Sequence, residues 1–149
     1  MKKLAKSAHA AAEAASVQLE IEKVLQDYEK ALNSSDTDSV LTLFATDGVF
    51  MAPNNPSTVG TDAIRAAYNG IFQTITFDTE LTVEEVVQVA PNWAFVRTSS
   101  NGHVTVKAIK QRVPDANHEL FIFQKAKKGH DDAWKIARYS FATTLPLSR

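Results

Sequence analysis

The chain has 149 residues, 44% apolar and 22% charged: ordinary globular composition for one domain, long enough to bury a core without cross-links. Its net charge of −1 gives no electrostatic reason to bind nucleic acid or an anionic membrane surface, and no apolar run approaches the length of a membrane span. Cysteine is absent, which excludes disulfides, thiolate nucleophiles and Cys-ligated zinc.

MKKLAKSAHAAAEA opens on a basic start and contains an AHA that mimics a cleavage site. Lys6, Ser7 and His9 interrupt the apolar run that a signal peptide needs. Residues 1–15 are therefore expected to form an Ala-rich helical or frayed extension of a cytoplasmic protein, ahead of a single domain over 16–149. Val17, Ile21, Val24, Leu25, Tyr28 and Leu32 recur at spacings of three and four and predict a helix from about Ser16 to Asn33. NSSD offers caps for a second helix with Val40, Leu41, Leu43 and Phe44, expected to stop at TDG with Gly48 left-handed. VFMA reads as a short strand and PNNPS as a loop. GTDAIRAAYNGIFQTI predicts a third helix, capped by Thr61 or Asp62, with Ile64, Tyr68, Ile71, Phe72 and Ile75 on one stripe.

The period then falls from near four to two. FDTELTVEEVVQVA, WAFVRTSSNGHVTVKAI, HELFIFQKA and WKIARYSFATT read as strands, with PNW, RVPDAN and KKGHDD as turns between them. Helices that precede strands predict an α+β fold, with the helices on one face of a curved antiparallel sheet. No repeat, low-complexity segment or linker interrupts it.

Four features could carry chemistry. Tyr28 lies on the apolar stripe of the first helix, either as a donor into a pocket or as a core tyrosine with an internal partner. In WKIARYSF, strict alternation puts Arg138 and Ser140 on the face of Trp134 and Ile136. An arginine there needs a partner: Glu119 on the preceding strand, a ligand carboxylate or phosphate, or solvent at the rim. AFVRTSSNG has a small face (Ala94, Val96, Thr98, Ser100) and a face with Trp93, Phe95, Arg97 and Ser99. Either could be concave; the small face suits a pocket floor. His9, His103, His118 and His130 are scattered without metal-ligand spacing, Ser99, Ser100 and Ser140 lack a nucleophile-elbow motif, and the glycines form no phosphate loop. Glu84 and Glu85, like Asp131 and Asp132, read as solvated faces or turns. No metal and no cofactor is expected.

DYEKALNSSDTDSVLTLFATDGVFMAP, AIRAAYNGIFQTITFD, AFVRTSSNG, ELFIFQK and WKIARYSF together resemble, over about Val17 to Thr144, the cone-shaped nuclear transport factor 2-like fold. That fold also serves ketosteroid isomerase, SnoaL-like polyketide cyclases and limonene epoxide hydrolase. The chain is most similar to the SnoaL-like, SgcJ/EcaC-type (DUF4440-like) group. Tyr28 falls where ketosteroid isomerase has its oxyanion-hole tyrosine, but Ala52 falls where it has its aspartate base, and the second oxyanion-hole acid would lie near Glu119 or Leu120. The resemblance therefore implies the fold without that mechanism.

The resulting expectation is a cone pocket for a medium-sized organic ligand with a polar or anionic group. Tyr28, Tyr68, Thr98, Ser100, Glu119, Arg138 and Ser140 would set its polarity, with Phe44, Phe50 and Phe72 as apolar wall. Isomerisation, cyclisation or hydrolysis is the class of reaction the resemblance implies, with Tyr28 and Glu119 as candidate catalytic groups. The alternative is a non-catalytic dimeric module whose pocket polars are structural. Phe77, Leu81, Val83, Trp93, Phe95, Phe121, Phe123, Tyr139 and Phe141 are more bulk than one helical layer needs, and the resemblance implies a homodimer through the outer sheet face.

Overall fold

The computed structural model describes residues 2–126 and 133–147. The expected turn containing His130, Asp131 and Asp132 lies outside them. Helix α1 (Lys2–Asn33) buries Ile21, Leu25, Tyr28 and Leu32 along one stripe, while residues 7–16 are exposed, so the Ala-rich segment continues the helix beyond the packed body. Helix α2 (Thr37–Leu43) is capped by Asp36, whose carboxylate accepts from the Ser39 N–H at 3.1 Å and the Ser39 hydroxyl at 2.6 Å. The helix stops earlier than expected, because Phe44 already belongs to strand β1 (Phe44–Met51). Gly48 is no helix stop: it lies where the pairing of β1 shifts register between Phe44 and Val49, and an added Cβ would fall 2.9 Å from the Ala45 carbonyl oxygen.

Strand β2 (Thr58–Val59) leads into helix α3 (Thr61–Thr74), which buries Ile64, Tyr68 and Phe72. Its N-cap is Gly60, at φ 88°, rather than Thr61 or Asp62, and no side chain caps it. The chain must reverse sharply there, and Gly60 N–H is already bonded to the Gly48 carbonyl at 2.9 Å.

Strands β3 (Ile75–Ala90), β4 (Trp93–Val106), β5 (Gln111–Lys125) and β6 (Trp134–Thr143) form the expected meander, and the sheet order is β2-β1-β6-β5-β4-β3, with only β1 and β6 parallel. RVPDAN is strand, not turn; the reversal comes earlier, at residues 107–110. Pro114 is tolerated because β6 pairs with β5 only from Asn117 onward, which leaves one edge of β5 open beside the proline. The three helices and one sheet face enclose the core, in an open α+β cone.

Strict alternation fails at one point in β6. Phe123 pairs with Ile136 and Ile122 with Arg138, so Ala137 is an extra, bulged residue. Trp134, Ile136 and then Tyr139 are buried, and Arg138 and Ser140 turn to the outer face. The Arg138 Nη1 donates to the carbonyls of Ala137 (2.7 Å) and Asp47 (3.2 Å). The expected place of Arg138 and Ser140 in the cone is thereby corrected. So is the aromatic outer face: Phe121, Phe123 and Tyr139 are core residues, and Phe77, Leu81, Val83 and Phe141 pack against that core. Trp93 and Phe95 remain on the outer side, where Arg97 pairs with Glu85.

Gly102 on β4 takes φ 157°, and an added Cβ would lie 2.1 Å from the Asp78 carbonyl oxygen. Gly102→Ala is expected to lose at least about 2 kcal/mol in urea unfolding, whereas Arg138→Leu, on the outer face, should lose no more than about 1 kcal/mol. The reverse ranking would contradict the register described.

Candidate functional site

Three cross-strand rows on the concave face build the polar side of the site: Val83–Thr98–Glu119–Phe141, Leu81–Ser100–Asn117–Thr143 and Thr79–Gly102–Asp115. The small face of β4 is the one that points inward, with Thr98 and Ser100 both buried. Glu119 is only 5% exposed. One carboxylate oxygen accepts from the Thr98 hydroxyl and the other from the Ser100 hydroxyl, both at 2.6 Å. The Asn117 amide donates to Ser100 Oγ (3.4 Å) and to Asp115 Oδ2 (3.1 Å), so the two carboxyl groups share one polar ladder. Burial pushes the Glu119 pKa above the ordinary carboxylate range, against the pull of the two hydroxyls. It pushes Asp115 up as well, against the Asn117 hydrogen bond.

Three tyrosines form the other side. The hydroxyls of Tyr28 and Tyr68 are 2.6 Å apart, and the Tyr139 ring packs edge to face on Tyr28 with centroids 5.7 Å apart. The one bond between the Tyr28 and Tyr68 hydroxyls uses one of their two protons, so one O–H of the pair remains to donate elsewhere, whichever of them is the donor. Burial holds all three phenols far above their usual pKa, so they stay protonated. Stacking fixes the rings: Phe50 lies on Tyr68 at 4.9 Å and on Tyr139 at 5.6 Å, and Phe121 lies on Tyr139 at 4.2 Å.

The tyrosines and the carboxyl ladder line one cavity of about 60 Å³, closed by Leu32, Ile71, Leu81 and the rings of Phe50, Phe77 and Phe141. At about 10–15 Å³ for each water, that is room for a few waters or a group of a few heavy atoms. Phe50 and Ile71 also border a wider surface groove of about 760 Å³ between α3 and residues 52–59.

The structure therefore brings together Tyr28, Phe50, Tyr68, Ser100 and Glu119, with Thr98 behind Glu119. Phe44 and Phe72 pack against Tyr68 in the core and do not reach the cavity. Arg138 and Ser140 are outside it, so Glu119 has no arginine partner, and no Lys, Arg or His lines the cavity. Sequence reasoning missed Thr79, Asp115 and Asn117. The signal was present: the alternation of Phe121 and Glu119 runs back through Asn117 to Asp115, but the proline in RVPDAN ended the strand too soon. Among the described residues no group of three or more His, Asp or Glu is placed to hold a metal ion, and no helix is long and apolar enough to cross a membrane.

A carboxyl that holds its proton more tightly when folded makes the protein lose stability as pH rises from the ordinary carboxylate range through the raised value. Below that range the carboxyl is protonated in both states and the penalty is absent. Glu119→Gln keeps an acceptor and a donor for the two hydroxyls. It is expected to melt above the wild type near about pH 7.5, with the gain fading as the pH falls to about 4. A lower melting temperature at neutral pH would show that the ionised carboxylate stabilises the fold.

Residues 25–130 match the family model of the SnoaL-like domain. No functionally curated protein matches the chain. Among solved structures, a ketosteroid isomerase-like protein from Erwinia carotovora atroseptica SCRI1043 is 36% identical, over 85% of this chain and 95% of that one, with a TM-score of 0.78. A nuclear transport factor 2-like superfamily protein from Salmonella enterica serovar Typhimurium is 15% identical over 91% of this chain and 96% of its own (TM-score 0.77), and a protein of cystatin-like fold from Nostoc punctiforme is 17% identical over 87% and 93% (TM-score 0.67). The chain belongs to the SnoaL-like domain family, and its fold is that of the nuclear transport factor 2-like proteins.

Proposed function

We propose that the chain takes a small oxygen-bearing organic molecule into the cavity and moves a proton on it, as an isomerase or a related cyclase or hydrolase. The observation that carries this reading is the meeting of three tyrosines and a buried carboxyl, Glu119, in one cavity. The surplus phenolic O–H can donate to a carbonyl oxygen. As negative charge grows on that oxygen, the chained hydroxyls polarise toward it without having to reorganise. Glu119, whose proton affinity is raised by burial, is suited to take a proton from the carbon beside the carbonyl and return it. The name of the Erwinia relative, ketosteroid isomerase-like, supports the same class. A cavity of about 60 Å³ holds a reacting group, not a ring system, so the rest of a medium-sized ligand would lie toward the groove past Phe50 and Ile71.

Exchange of the α-protons of 2-butanone in D2O, followed by NMR, tests the proposal. The wild type should exceed buffer, and Glu119→Gln and Tyr28→Phe should each lower the enzyme-catalysed rate by about 100-fold or more. An unchanged rate in Glu119→Gln would remove Glu119 as the base.

A second reading, a non-catalytic dimeric module, is favoured by the small cavity and by the internal partners of Glu119 and Tyr28. Dimerisation fits either reading. The outer face carries Val87, Phe95 and Ile122 in one row and Leu120, 45% exposed, in the next. Sedimentation should give a dimer at micromolar concentration and a monomer for Leu120→Glu. A monomeric wild type would refute the assembly.

A further inference from the structure

The carboxyl end of the cavity has a feature that the reaction proposed above does not use. Thr79 and Asp115 flank Gly102 in one cross-strand row, and both line the cavity. Thr79 is held firmly: the Asn33 amide at the end of α1 donates to its carbonyl and accepts from its N–H, both at 2.9 Å. Thr79 is 7% exposed and lines the cavity, and its hydroxyl is buried without a hydrogen-bond partner among the described residues. A buried hydroxyl in that state is costly unless something satisfies it. Across the row, Asp115 is oriented by Asn117.

The charge of the surroundings narrows what that something is. The cavity wall holds two carboxyl groups, aromatic rings from Phe77, Phe141 and the tyrosines, and no cationic side chain. An anion would enter against both carboxyls and lose its hydration. A neutral alcohol could satisfy Thr79 but would leave Asp115 without a counter-charge. A protonated amine meets a hydroxyl acceptor on one side, a carboxylate on the other and ring faces that attract cations.

We propose that Thr79 and Asp115 form a subsite for a protonated amine, so that the ligand of this cavity is a small amino-carbonyl compound, its nitrogen between Thr79 and Asp115 and its oxygen at the tyrosine hydroxyls. This rests on the reading that the cavity takes a small organic molecule, but not on catalysis.

The test compares three three-carbon probes, n-propylamine, n-propanol and propionate, by NMR titration of the whole chain near pH 7.5. Propylamine should bind about tenfold or more tighter than either of the others. Asp115→Asn should remove that preference. Thr79→Val should weaken propylamine several-fold while melting no lower than the wild type, since it deletes an unpartnered polar atom. Propanol or propionate binding as tightly as the amine overturns the proposal, as does an unchanged preference in Asp115→Asn. So does a failure of propylamine to saturate by about 0.1 M, roughly the weakest affinity expected of a four-atom ligand in a real site. The wild-type comparison decides the matter even if a variant fails to fold. Loss of ketone exchange with the amine preference intact would remove the catalytic reading and leave the subsite. Exchange without the preference would do the reverse.

Discussion

One inserted residue in β6 decides the chemistry of this cone. Were the strand regular, Arg138 would follow Trp134 and Ile136 inward, and Tyr139 would face away from the helices. The bulge at Ala137 reverses both: Tyr139 joins Tyr28 and Tyr68, and the guanidinium leaves for backbone carbonyls on the other face. The cavity thereby gains a third phenol, and Arg138 stays outside it. With a cation inside, the carboxyl of Glu119 would be held ionised by direct pairing and its proton affinity lowered. Without one, burial dominates and the proton affinity rises. The sign of that shift thus follows from a backbone irregularity several residues away.

The polar groups that result are satisfied in a graded way. Glu119 has both oxygens occupied, Tyr28 is bonded to Tyr68, Asn117 bridges Ser100 and Asp115, and among the described residues the buried Thr79 hydroxyl has no hydrogen-bond partner. Such an array costs stability relative to an apolar filling, because every group has been taken from water. A fold that only needed a core could place leucine or valine at those positions. That it holds carboxyls there is the physical argument for function, and it applies equally to catalysis and to binding.

Much of the frame was legible in the sequence, because periodicity reports burial directly. The stripes Ile21–Leu25–Tyr28–Leu32 and Ile64–Tyr68–Phe72 identified two helices and their inward faces, and alternation located the long strands and gave Ser100 and Thr98 a common face. What failed has two causes. A periodic reading assumes an unbroken register, and bulges break it without a strong composition signal: Ala137 and the shift beside Gly48 are flanked by ordinary strand residues. Pro114 misled in the opposite direction, since a residue barred from central strands is acceptable where the neighbouring strand has already ended. The site was therefore half legible. Tyr28, Tyr68 and Glu119 lie on regular stretches; Asp115 lies beyond a proline, and Arg138 beyond a bulge.

The same irregular places explain how this chain can lack a side-chain base at Ala52 and still hold a carboxyl near its tyrosines. Ala52 follows directly on β1, close to the surface groove, whereas Glu119 and Asp115 stand on β5 at the cavity, Glu119 buried and Asp115 half-buried. Between the two regions sits Phe50, stacked on Tyr68 by one contact and on Tyr139 by another. As long as that ring holds its place, only a small group can reach the hydroxyls, and a proton carrier on the groove side would be on the wrong side of it. A carboxyl on the sheet side is where a group inside the cavity would meet it. The position of the acids and the narrowness of the cavity are thus two consequences of one aromatic stack.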